Sequence, residues 1–265
     1  DPNFPEGQDS TVTAWTSDIF FTLPLISGPS QHSLTWESEA AIILGNTTRP
    51  QLEETFENGA TLRATGALSR LNYSWSNEVE VKIEAGYASG DNDPRDDVYR
   101  SFSFHSDHTV GTVLFDHVMP MLTARSVDRI HNPDLVNQAP ASTRFLVNQG
   151  TVRNARYLYP VISWYASDAL ELRAAYLLAG SAGDFIDAYH SGIQGGYNHG
   201  YDRKPSSSRF LGQEVSLSAR VLFGKSNSPL ASLTAEGGLL LPGSALASVQ
   251  PDPVSLMRAS FSVPW

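Results

Sequence analysis

Apolar and polar residues alternate with a period of two along most of this chain, the pattern of strands that keep one face in an apolar environment and the other in a polar one. From Leu34 to Ile42, one register carries Leu34, Trp36, Ala40 and Ile42, and the other carries Thr35, Glu37 and Glu39. Further on, Val79, Val81, Ile83, Ala85 and Tyr87 oppose Glu78, Glu80, Lys82 and Glu84. Glu171 and Arg173 fall on the polar side of the next clear example, as do Glu214, Ser216, Ser218 and Arg220 of a later one. Nine strands are predicted, over residues 11–25, 33–45, 60–74, 78–89, 151–165, 170–180, 209–224, 230–242 and 254–265. Several exceed the ~5–6 residues usual in soluble sheets and match the ~9–11 that cross a bilayer at a tilt.

The connections alternate in length. Short ones fall at 27–32, 75–77, 166–169 and 225–229, and long ones at 46–59, 90–150, 181–208 and 243–253. Short periplasmic turns alternating with long outer loops characterise outer-membrane barrels. Tyr73, Trp75, Tyr157, Tyr159, Trp164, Tyr165 and Trp265 lie near predicted strand ends, where a barrel carries its aromatic girdles. The last strand has Met257, Ala259, Phe261, Val263 and Trp265 in one register and Arg258, Ser260 and Ser262 in the other. The expected fold is therefore all-β, a transmembrane antiparallel β-barrel segment spanning residues 1–265 in the bacterial outer membrane.

Direction follows from the connections. The last strand runs toward the short-turn side, which predicts a periplasmic Trp265, and the first strand puts Asp1 on the outer side. Single-chain bacterial barrels have an even strand number and both termini in the periplasm. Nine strands thus predict the C-terminal part of a larger barrel, completed by N-terminal strands from a second chain or fragment. Membrane lipid is the other expected partner, along with proteins of the cell envelope.

Composition narrows the function. The chain has no cysteine, which removes disulfide scaffolds, thiolate metal sites and cysteine catalysis. A net charge of −10, with acidic residues grouped at 91–97 and 53–57, argues against a nucleic-acid partner. No run approaches the ~18 apolar residues of a membrane helix. The mean hydropathy of −0.22 suits strands that are only half apolar.

Several segments resemble outer-membrane porins of the alginate-export type: EAGYASGD at 84–91, FSFHSDHTVGTVLFD at 102–116, VRNARYLYP at 152–160, LGQEV at 211–215 and LLLPGSAL at 239–246. The resemblance runs from Ser17 to the end. It implies a barrel of about 16–18 strands, and in the exporter itself an arginine-lined lumen suited to a polyuronate. Here the predicted lumen lining is mixed in sign. Glu37, Glu39, Glu80, Glu84, Glu171, Glu214 and Glu236 face Arg63, Lys82, Arg156, Arg173 and Arg220, which does not match alginate.

The function expected is a porin-like channel of a Gram-negative bacterium that passes a hydrophilic solute. The alternative is a structural barrel with a plugged lumen, anchoring a larger envelope assembly. In either case residues 90–150 are long enough to fold inward, and 109–118 are apolar enough to pack against the wall. No enzyme activity and no cofactor are expected. Asp91, Asp93, Asp96 and Asp97 offer hard oxygen ligands for Ca²⁺, but without EF-hand spacing they read as a solvated loop. The His105, Ser106, Asp107 and His108 run contains an Asp–His pair of the type that activates water or serine, and reads here as hydrogen bonding within a folded loop. Residues 195–201, rich in glycine and tyrosine, read as a surface loop.

Overall fold

The computed structural model describes residues 11–27, 31–48, 59–76, 78–93, 96–136, 147–195, 197–205, 208–225 and 228–263. The expected acidic group at 53–57 and Trp265 lie outside the described residues. Nine long strands form one antiparallel sheet in which each pairs with the next along the chain. They are β1 (Val12–Ile26), β2 (His32–Thr47), β3 (Ala60–Trp75), β4 (Val79–Ala88), β6 (Ala155–Ser167), β7 (Leu170–Gly180), β8 (Phe210–Lys225), β9 (Ser228–Pro242) and β10 (Val254–Ser262). A tenth, short strand, β5 (Val98–Tyr99), lies parallel to the start of β3. This meander, with short and long connections alternating, is the all-β antiparallel arrangement that the alternation predicts.

Register divides the long strands into two faces. One carries the odd positions of β1, β3, β4, β8, β9 and β10 and the even positions of β2, β6 and β7. It exposes large apolar side chains on every long strand, as at Ile19 (68%), Ile83 (44%), Ile162 (47%), Leu217 (61%) and Phe261 (66%). Exposed large apolar side chains on all nine long strands are more than the scattered ones usual on a soluble monomer. We call this the outer face.

The opposite, inner face is covered over its long-loop half. The segment between β4 and β6, expected as a loop of 90–150, contains β5, a π-helical turn at Leu114–Val118 and helix α1 (Met119–Ile130). In α1, Met119, Thr123, Ser126, Val127 and Ile130 are buried, spaced as one helix face. Val110, Val113, Leu114 and Phe115 are almost fully buried against Tyr157, Tyr159 and Val161 of β6, Ala175, Leu177 and Ala179 of β7, and Leu240 of β9. A second helix, α2 (Ala188–Ile193), sits in the β7–β8 connection beside α1. Strand β6 begins at Ala155 rather than 151, because Asn154 adopts a positive φ of 46° that breaks the extended run, and its side chain holds the turn by accepting from Gly183 N–H and donating to Asp184 O.

Close approach of the covering segment depends on two glycines. Gly111 has φ of 75°, a conformation that disfavours a side chain, and it leads the chain past the β8 wall. A Cβ on Gly238 of β9 would stand 2.2 Å from Thr112 Oγ1 and 2.7 Å from Val113 Cγ2. Gly238→Val is therefore expected to cost about 1–3 kcal/mol through overpacking. Gly237→Val adds its side chain to the outer face, where a Cβ would meet nothing nearer than Leu256 O at 3.5 Å, and should stay within about 0.5 kcal/mol. Unfolding midpoints of the two variants in the same detergent measure the difference.

Candidate functional site

The inner face carries the charges. Glu37, Arg70 and Glu84 are direct cross-strand neighbours on β2, β3 and β4, so their side chains meet in one row. Arg70 donates from Nε and Nη2 to Glu84 Oε2 at 3.0 and 2.8 Å, and from Nη1 to Glu37 Oε2 at 3.3 Å. Asn72 Nδ2 adds a donor to Glu37 at 3.2 Å. Glu84 is 1% exposed and also accepts from Tyr157 Oη at 2.9 Å, with Lys82 Nζ 3.5 Å away. A buried carboxylate with this many donors stays ionised at moderate cost, whereas loss of the arginine would leave an uncompensated charge.

His108 enters this cluster from the covering segment. Its Nε2 lies 2.7 Å from Tyr157 Oη and 3.5 Å from Glu84 Oε1, and its ring packs on Phe104. Burial lowers the pKa of this imidazole, outweighing the pull of Glu84 in the other direction.

Glu214, on β8, holds the same segment three strands further round the sheet from Glu84. Its Oε1 accepts from the backbone N–H groups of Thr112 and Val113 at 2.5 and 3.1 Å, and its Oε2 from Leu114 N–H at 2.9 Å. The hydroxyls of Thr112 and Ser216 also donate to Oε1, at 3.0 and 2.8 Å. These amides open the π-turn and α1, whose own N-cap, Val113, provides no side-chain acceptor. A wall carboxylate thus takes the place of a capping side chain and meets the positive end of the helix dipole.

Toward the short-turn end the inner face is uncovered. There Glu80 accepts from Tyr165 Oη at 3.2 Å, Arg173 Nη2 donates to Tyr159 Oη at 3.2 Å, Glu171 pairs across the ladder with Arg220, and Glu236 is ion-paired with Arg258. Glu39 is exposed on the same face of β2.

Ten of the twelve residues predicted to line a lumen therefore share the inner face: Glu37, Glu39, Glu80, Lys82, Glu84, Glu171, Arg173, Glu214, Arg220 and Glu236. Arg63 and Arg156 do not. Arg63 pairs with Leu44 and Arg156 with Tyr87, and both are exposed on the outer face. The cause is the covering segment, which makes the inner register of β3 and β6 apolar (Leu62, Ala64, Leu68; Ala155, Tyr157, Tyr159) and inverts the polarity rule there. The same inversion hid Arg70. Of the expected girdle aromatics, Tyr73, Trp75 and Trp164 are on the outer face, while Tyr157, Tyr159 and Tyr165 face inward.

The remaining candidates are separated or occupied. His105 and Asp107 are exposed together on the surface, away from His108. Asp91 accepts from Arg100 N–H at 3.0 Å and Asp93 N–H at 3.1 Å, and burial raises its pKa. Asp96 is taken up by Arg100 at 2.8 Å. Sequence reasoning missed a cluster between α1 and α2, in which Asp187 joins Ser126 to His190, all buried. Because the carboxylate sits between serine and histidine, the histidine does not reach the hydroxyl, and the serine is not primed as a nucleophile. Next to it lie two cavities of about 220 Å³ each, lined in part by Arg125, Arg129 and Arg203.

No family model matches the sequence. No curated protein matches it either. Among solved structures, the crystal structure of a doubly substituted OccD1 (OprD) is similar with a TM-score of 0.48 and 10% identity, over 94% of this chain and 51% of that one. The chain thus spans about half the length of the structure it matches.

A pH dependence follows from His108. With its folded pKa below the unfolded value of about 6.5, the neutral imidazole is favoured in the folded state, so its contribution is complete above about pH 6.5 and is lost as pH falls through the folded value. Opening of the segment around 108–118, measured by amide hydrogen exchange corrected for intrinsic rates, should increase between pH 7.5 and 5.5. In His108→Asn that increase should be much smaller; an unchanged pH slope would assign the dependence to other groups.

Proposed function

We propose that this chain forms part of the wall of an outer-membrane barrel channel that passes a hydrophilic solute, with the covering segment narrowing the passage on the long-loop side. The observation that carries the reading is the contrast between two faces of one sheet. The outer face exposes large apolar side chains on every long strand and two arginines near one rim, whereas the inner face carries the charged rows from Glu37 to Glu84 and from Glu80 to Arg258. A barrel in lipid needs this arrangement, and a soluble sheet would expose its apolar face to water.

Among the described residues, β1 pairs only with β2 and β10 only with β9. In this reading further strands, from another chain or another segment, complete the wall. Membrane lipid is the second partner. The uncovered inner charges form a vestibule on the short-turn side, where mixed signs set the field without selecting strongly for either ion. The reading requires no covalent chemistry, cofactor or bound metal, and no nucleic-acid partner.

One observation favours a second reading, a plugged barrel serving as a structural anchor. Leu114, Phe115, Leu177 and Leu240 make a dry apolar core between the covering segment and the wall, with exposures of 0–1%. Planar-bilayer recording of the completed barrel separates the two. Steady conductance steps are expected for the channel, and Glu80→Lys with Glu236→Lys should move the reversal potential in a salt gradient toward anion preference. A silent barrel would favour the anchor, and conductance with an unmoved reversal potential would contradict the vestibule.

A further inference from the structure

The two arginines that leave the inner face define a surface of their own. On the outer face, among the ladder residues whose side chains are described, there is no aspartate, glutamate or lysine, and Arg63 and Arg156 are the only guanidinium groups. Neither is ion-paired among the described residues. Both are exposed. A cation on a face whose described ladder residues include no acid has no anion among them, and calls for one from outside.

Their height on the wall narrows the choice. Arg63 is three residues into β3, which starts at Ala60 after a long connection, and Arg156 is one residue into β6, which starts at Ala155 after another. Both therefore stand at the long-loop rim. Arg156 pairs with Tyr87, which pairs in turn with Ala67 on β3. Two strand spacings across and four residues along put the two Cα atoms roughly 16 Å apart on that rim. The short-turn rim carries Trp75, Tyr73, Trp164 and His32 on the same face and no guanidinium. An arginine on a lipid-facing strand is tolerated near the interface and disfavoured at mid-membrane, and the interface is where headgroup phosphates lie.

Resting on the membrane reading above, the geometry points to Arg63 and Arg156 as a docking site for the phosphate groups of anionic membrane lipid on the long-loop side. The planar guanidinium fork suits phosphate oxygens, and each arginine has an apolar or aromatic cross-strand neighbour, Leu44 for Arg63 and Tyr87 for Arg156, along which its stem can reach the interface. The fully outward position of both side chains also leaves the inner passage untouched, so lipid binding and conductance are separable.

The test uses the completed barrel in phosphatidylcholine nanodiscs doped with a bis-phosphorylated lipid A or its dephosphorylated counterpart, with retained lipid counted by native mass spectrometry. Wild type should retain the phosphorylated form preferentially. Arg63→Gln and Arg156→Gln should each weaken that preference about fivefold, and the double variant about twentyfold or more, on the scale of one basic residue at a charged membrane surface. The pair Arg63→Lys with Arg156→Lys should keep most of it, which guards against a loss caused by misfolding. No preference in wild type, or equal preference in wild type and the double glutamine variant, overturns the proposal. Failure of the protein to enter nanodiscs would overturn the membrane reading as well, and appears before any lipid is counted. Conductance of the double variant should equal that of wild type.

Discussion

A chain that leaves a barrel wall and crosses its inner face must satisfy its own backbone donors in a place with little water. Glu214 meets that requirement for the covering segment. One carboxylate accepts from three successive amides and two hydroxyls, at the point where Thr112 to Leu114 turn from extended chain into helix. Buried N–H groups left without an acceptor would each cost about 1–3 kcal/mol, comparable to a substantial share of a domain's net stability. The apolar packing of Leu114 and Phe115 adds affinity for the wall, but only the carboxylate fixes where along the wall the helix begins.

From that anchor the rest of the inner face is arranged. Gly238 and Gly111 clear the space beside Glu214, and Tyr157 links the wall to His108 and to the Glu84–Arg70–Glu37 row. The covered half is apolar and held by two buried carboxylates, and the uncovered half is charged. One sheet thus meets three surroundings: a mostly apolar exterior that carries Arg63 and Arg156, a packed contact with its own chain, and an uncovered charged inner surface.

These three surroundings explain how much could be read from residues alone. Where the inner register keeps its charged side chains, as β4 does with Val79 to Tyr87 against Glu80 to Glu84, alternation identified both strand and face. Where the inner face is covered, the contrast disappears or reverses, and Arg63 and Arg156 were then expected inside while Arg70 was not expected there at all. Helix α1 lies within the stretch 90–150, expected as a long loop. Its signal was present at positions 119, 123, 126, 127 and 130, which follow helical spacing. The Ser126–Asp187–His190 contacts left no such trace, because they join residues about sixty positions apart in two different connections.

The central claim is that the two registers of each long strand face lipid and interior respectively, with Arg63 and Arg156 outward and Arg70 inward against the polarity rule. Because the chain has no cysteine, single cysteines can be placed without background. A scan of positions 62–71 and 156–163 in lipid nanodiscs, labelled with a fluorophore and quenched by brominated lipid acyl chains, tests it directly. The account predicts strong quenching at positions 67, 71, 158 and 162, weak quenching at 62, 68, 70, 157, 159 and 161, and an alternation of period two throughout. Quenching without alternation, or strongest at 68, 70, 157 and 159, would contradict it.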